Sequence, residues 1–193
     1  MPAEAFPRND WGVLIFPEST TGVGTTKGEE VETACGTEVA EPPADDFGLA
    51  NLSYHNAARA AHGAMPMVWD AELAAEAQEW AEFLQSEMRL MHSTTAQRGP
   101  TGENLYFASS SDGSSEAAIA NTDVASRAWY EQEEGLYGYD GQFSSGTGHF
   151  TQMVWKDSCK LGCGYTENFV VCRYSPQGNF LGQFDTKVMP PMV

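Results

Sequence analysis

The stretch that most limits what this chain can fold into is "DAELAAEAQEWAEFLQSEM", residues 70–88. Asp70 can accept hydrogen bonds from the free N–H groups of a helix start, and Leu73, Ala77, Trp80, Ala81 and Leu84 then recur at three- and four-residue spacing with charges opposite. That period predicts a helix with one apolar stripe, which has to be laid against another layer. The earlier "GLANLSYHNAARAAHG" repeats the spacing through Leu52, Asn56 or Ala57, and Ala60, and stops at Gly63. A third helix is predicted from Ala117 to about Glu134, burying Val124, Ala128 and Trp129.

In the last third the period changes. "HFTQMVW", "LGCGY" and "FVVCRYS" read as short strands, while residues 92–115 read as a Gly/Ser/Thr-rich connection. In "YSPQGNF" Pro176 sets a turn, Gly178 supplies a positive φ and Asn179 bonds neighbouring backbone. Helices first and a short antiparallel sheet interleaved late predict an α+β fold, a three-layer α-β-α sandwich with helices on both faces.

Charge and cysteines narrow the function classes. The net charge of −17, from 27 acidic and 10 basic residues among 193, repels polyanions, so nucleic acid is not an expected partner. Ten acidic and two basic residues fall in 1–46, which reads as an acidic disordered arm ahead of a folded domain at 47–193. No apolar run reaches the length of a transmembrane segment, and "MPAEAFPRNDWGVLIFPEST" lacks the pattern of a signal peptide, which points to an intracellular protein. Against that, Cys163 and Cys172 bracket a Thr-Glu-Asn turn and predict a bridge across a hairpin, favouring an oxidising, extracellular compartment. Cys35 and Cys159 either pair or stay free; Cys159 and Cys163 have no second pair nearby with which to hold zinc. The glycosylation sequon "NLS" at Asn51–Ser53 matters only in a secreted chain.

Six stretches in order, "YHNAARAAHGAMPMVWDAELAAEAQEWA", "MHS", "GENLYF", "GHFTQMVW", "LGCGY" and "VVCRYSPQGNF", resemble the CAP superfamily over residues 54–180. That superfamily comprises the cysteine-rich secretory, antigen 5 and plant pathogenesis-related proteins, also called SCP domains. The resemblance implies the same α-β-α sandwich and a cleft holding two histidines and two acidic residues. His92 in "MHS" and His149 in "GHF" match the histidines, and Glu103 in "GENLYF" the first glutamate. For the second, "WYEQEEGLY" has one residue too many: counting back from Tyr137 gives Glu133, with Glu131 as the alternative.

Two imidazoles oriented by carboxylates can take a loosely bound zinc or magnesium ion. The resemblance also implies sterol or fatty-acid binding beside a loop that corresponds to "FASSSDGSSEAAIANTD", and Met65, Met67, Met88, Met91 and Met153 are candidate lining for an apolar channel. A secreted-type binding protein that is not an enzyme is therefore the expectation. One alternative is a metal- or serine-dependent hydrolase using His92, Glu103, Glu133 and His149, with Ser93, Ser144 or Ser145 as nucleophile, although no Gly-x-Ser-x-Gly elbow is present. The other is a protein-recognition module in defence or signalling; its candidate anchors Tyr54, Phe150, Trp155 and Tyr174 are expected to build the core instead.

Overall fold

The computed structural model describes residues 27–108, 119 and 122–192. Helix α1 (Asp46–Ala61) starts where the Asp45 side chain accepts from the Gly48 N–H at 2.8 Å, and ends before Gly63, which turns the chain at φ +63°. A two-residue strand β3 (Val68–Trp69) leads into α2 (Ala71–Glu87), capped by Asp70 at 3.0 Å to both the Glu72 and Leu73 N–H groups. The buried face of α2 is the predicted stripe: Leu73, Ala77, Trp80, Ala81 and Leu84.

A single turn of helix, α3 (Thr95–Arg98), precedes β4 (Gly102–Phe107), and α4 (Val124–Glu131) and α5 (Gly148–Met153) follow. Strands β5 (Lys160–Tyr165) and β6 (Phe169–Ser175) form the late hairpin, and a short α6 (Phe184–Lys187) comes last. The four-stranded sheet has the order β3-β5-β6-β4, with β3 parallel to β5 and the other pairs antiparallel.

Alternation along the strands divides the core. Leu105, Phe169 and Val171 meet Ala77, Trp80, Ala81 and Leu84 of α2 on one face. Leu161, Cys163, Val170, Cys172 and Tyr174 face α1, α4 and α5 on the other, with Phe47, Leu52, Ala58, Trp129, Phe150 and Met153. Glycine at 162 and 164 lets α2 sit directly on β5: a Cβ at Gly162 would lie 2.2 Å from the Ala74 nitrogen, and one at Gly164 2.4 Å from the backbone of Gln78. Beneath α1, the fully buried Arg59 donates to the carbonyls of Met65, Met153, Trp155 and Ser158 at 2.7–3.0 Å, tying that helix to the C-terminal end of α5.

Several sequence expectations change. "HFTQMVW" is not a strand but mostly helix α5, because Phe150, Met153 and Val154 meet the core at helical spacing. "GENLYF", read as connection, is the edge strand β4, in register with β6 from Gly102–Tyr174 to Phe107–Phe169. The third helix is described only over Val124–Glu131, and it buries Ala125, Ser126, Trp129 and Tyr130; Val124 and Ala128 are half-buried. In the last turn it is Asn179, at φ +59°, that adopts the left-handed backbone, while a Cβ at Gly178 would lie 2.6 Å from Trp155.

The arm expected to lack structure over 1–46 carries a hairpin, β1 (Glu30–Thr33) and β2 (Gly36–Val39), at its far end. A bridge from Cys35 to Cys159 compensates for its small core; residues 1–26 lie outside those described. Cys163 and Cys172 are bridged as expected, directly opposite one another on β5 and β6. Among the described residues no helix is long and apolar enough to cross a membrane.

Candidate functional site

His92 and His149 are each held by one glutamate. His92, in the segment after α2, presents Nδ1 to Glu103 Oε1 at 2.8 Å. Glu103 is fixed by its place on β4 and is almost fully buried, while His92 is 59% exposed, so the carboxylate is the fixed partner and the ring faces outward. Ser93 donates its backbone N–H to Oε1 at 2.9 Å and its hydroxyl to Oε2 at 2.6 Å. Burial alone pushes the Glu103 carboxyl up, but the hydrogen bonds from His92 and Ser93 outweigh it and hold it below the usual carboxylate range.

The second pair sits at the start of α5. Glu133 Oε1 meets His149 Nδ1 at 2.5 Å, and Oε2 accepts the N–H groups of His149 and Phe150 at 2.9 and 3.0 Å. Thr147, at the N-cap position, makes no side-chain cap, so Glu133 caps the helix from a separate segment and aims the imidazole at once. His149 lies parallel to the Trp129 ring at 5.9 Å, and Trp129 is pinned by its indole N–H to Leu105 O at 3.0 Å. Glu131 is not part of this pair; it accepts from Arg127 at 3.0 Å and from the Tyr54 hydroxyl at 3.4 Å. Glu133 rather than Glu131 is thus the partner of His149.

A buried polar line supports the His149 backbone. Asn104 Nδ2 donates to His149 O at 3.1 Å and to the Tyr174 hydroxyl at 3.0 Å, and that hydroxyl donates to His55 Nε2 at 2.8 Å. His55 Nδ1 then donates to Asn51 O at 2.8 Å, and Ser126 donates to Asn51 Oδ1 at 2.6 Å. His55 and His62, both buried in the core, are the other two histidines, and the sequence offered no role for either. Their seven-residue helical spacing, His55 on α1 and His62 at its C-cap, on the side that carries Leu52 and Arg59, is the signal that separates them from His92 and His149. Asn51 is itself fully buried, so the sequon is closed in the fold.

Ser93 spends its hydroxyl on Glu103, Ser144 Oγ accepts from the Gly146 N–H, and among the described residues no serine bonds His92 or His149. The candidate methionines do not share one face: Met67 and Met153 fill the core with α1, Met91 packs against the α2 side, and Met65 and Met88 are exposed. Most of the loop at 107–123 lies outside the described residues. The aromatic candidates Tyr54, Phe150, Trp155 and Tyr174 are all core.

As donors, the two pairs offer a definite but small set. Both Nδ1 atoms are engaged by carboxylates, and among the described residues neither Nε2 has a hydrogen-bond partner. No three His, Cys, Asp or Glu side chains among the described residues come together as a metal-holding group. Two imidazoles are fewer ligands than a closed structural zinc site uses.

A layered α-β-α sandwich with two histidine–glutamate pairs at the edge strand defines a class, and comparison gives the family. The chain belongs to the cysteine-rich secretory protein (CAP) family, whose profile matches residues 52–174. It is 40% identical over 147 residues to the human Golgi-associated plant pathogenesis-related protein 1, covering 72% of this chain and 90% of that protein. It is 37% identical to the basic form of pathogenesis-related protein 1 of Nicotiana tabacum, over 68% of this chain and 71% of the relative. Among solved structures, NaASP2 with Zn2+ superposes with a TM-score of 0.55 at 29% identity, covering 76% of this chain and 84% of that one.

Proposed function

We propose that this CAP-family protein is an extracellular binding module whose His92 and His149 imidazoles take one exchangeable divalent ion of the zinc type. The observation that carries the reading is the pair of Nδ1–carboxylate contacts, which leave Nε2 as the lone-pair nitrogen of each ring. Zinc is favoured over magnesium because the groups left open are nitrogens, whereas the Glu103 and Glu133 oxygens are already occupied by N–H and O–H donors. When bound, the ion would supply a Lewis-acid centre with coordination positions open to water or a partner's donor. The zinc in the NaASP2 structure belongs to that protein, and it supports this choice of metal. Extracellular placement is supported by the family's secretory description and by the two disulfides.

Native mass spectrometry of the purified chain tests the reading. One zinc per chain, removed by EDTA and lost in both His92→Ala and His149→Ala, is the expected result, with no magnesium retained. Zinc uptake that survives the double substitution, or no uptake at micromolar zinc, would overturn it. Sterol or fatty-acid binding rests on family likeness alone, since the methionines fall on both faces of the sheet. Cholesterol and palmitate added in the same spectra test it separately.

A further inference from the structure

The two histidine–glutamate pairs are built differently. Behind Glu133 lies a helix terminus; behind Glu103 lies a buried cation. Arg173 stands directly opposite Glu103 in the β4–β6 register, and both side chains project toward α2. Its guanidinium reaches Glu103 Oε2 through Nη2 at 3.6 Å and Glu76 Oε2 through Nη1 at 3.1 Å. Arg173 is 3% exposed and Glu103 1%, whereas Glu76 is half exposed on α2. Glu76, Arg173 and Glu103 thus form a line of alternating charge from the helix surface through the sheet edge, and His92 bonds its inner end.

The cost of that line shows that hydrogen-bond economy alone does not explain it. Arg173 Nε is buried with no hydrogen-bond partner among the described residues, a loss that a shorter or neutral residue at this position would avoid. The fork nevertheless spans two carboxylates on different elements, which a lysine's single ammonium does less well. With Oε2 drawn toward Arg173 and the Ser93 hydroxyl, Oε1 remains as the acceptor for the His92 ring.

We infer that Arg173 is a positioning residue: by holding the Glu103 carboxylate between β6 and α2, it fixes His92 with the proton on Nδ1 and the lone pair on Nε2. The inference concerns the same pair as the zinc reading and its functional meaning rests on that reading, but it describes the metal-free protein and can be tested there.

The measurement is the imidazole nitrogen spectrum of the full chain at a fixed neutral pH, without metal. In the wild type, Nδ1 of His92 should be pyrrole-like and Nε2 pyridine-like. Arg173→Met should shift the His92 Nδ1 signal toward the pyridine-like position and leave His149, held by Glu133, unmoved; Arg173→Lys should restore part of the wild-type pattern. A purely structural role would lower thermal stability without changing the His92 tautomer, and that outcome overturns the inference. So does a wild-type His92 protonated on Nε2.

If neither variant folds, the guanidinium signals of wild-type Arg173 decide. Resolved Nη resonances are expected of a guanidinium hydrogen-bonded to Glu76 and ion-paired with Glu103, and a single averaged line overturns the inference. Failure to bind zinc with the tautomer pattern intact would remove the metal reading and leave this one standing.

Discussion

Glu133 uses one carboxylate on three donors, two backbone N–H groups and an imidazole, so it couples helix stability to ring orientation. Glu133→Ala should therefore cost about 1 kcal/mol as a lost cap and weaken zinc binding roughly 10- to 100-fold as a lost orienting partner. Glu131→Ala, which loses a partly exposed pair with Arg127, should leave zinc affinity unchanged and stability within about 1 kcal/mol. Urea titration and calorimetric zinc binding check both. His92, His149 and Glu103 were legible because each stands in a short motif with fixed neighbours. The choice between Glu131 and Glu133 was not, since an inserted residue in "WYEQEEGLY" leaves the counting ambiguous and only the contacts of the two carboxylates resolve it. Arg173 gave no sequence signal as part of the site, because its relation to Glu103 exists only across paired strands.

At the scale of elements, two glycines in "LGCGY" let α2 lie directly on β5, backbone against backbone. Gly164→Ala should destabilise the protein by about 1–3 kcal/mol through overpacking against the Gln78 backbone. Gly135→Ala, whose added methyl group meets nothing within 4 Å, should stay within about 0.5 kcal/mol. Chemical denaturation of the two variants side by side is the check. The α2 stripe and the β5–β6 hairpin were readable because their periods extend over enough residues to be unambiguous. Helix α5 was misread because six residues of "GHFTQM" satisfy a strand's alternation nearly as well as a helix's three-four spacing, and the cap that decides between them comes from Glu133. Strand β4 was hidden by its Gly/Ser/Thr-rich surroundings, and the β1–β2 hairpin by acidic composition, since Cys35 pairs with a residue 124 positions away.

For the molecule as a whole, the buried line from Asn104 to Ser126 makes stability depend on pH. Burial pushes the His55 imidazole down to about 4 from its ordinary 6.5. Between those values the unfolded chain binds a proton that the folded chain refuses. The His55 contribution is therefore complete above about pH 6.5 and is lost as pH falls toward 4, a change of about 3 kcal/mol. Denaturation midpoints at pH 7 and 4.5 should show this fall, and His55→Gln, although less stable at pH 7, should show less of it. The same line has a consequence for biosynthesis. Oligosaccharide transfer in a secretory compartment acts on an acceptor that is still accessible, whereas Asn51 is fully enclosed once Ser126 and the Phe47 carbonyl have bonded its side chain. In a host that glycosylates nascent chains, folding of α1 and modification of "NLS" are competing events, and a molecule that receives the sugar first can no longer close its own interior.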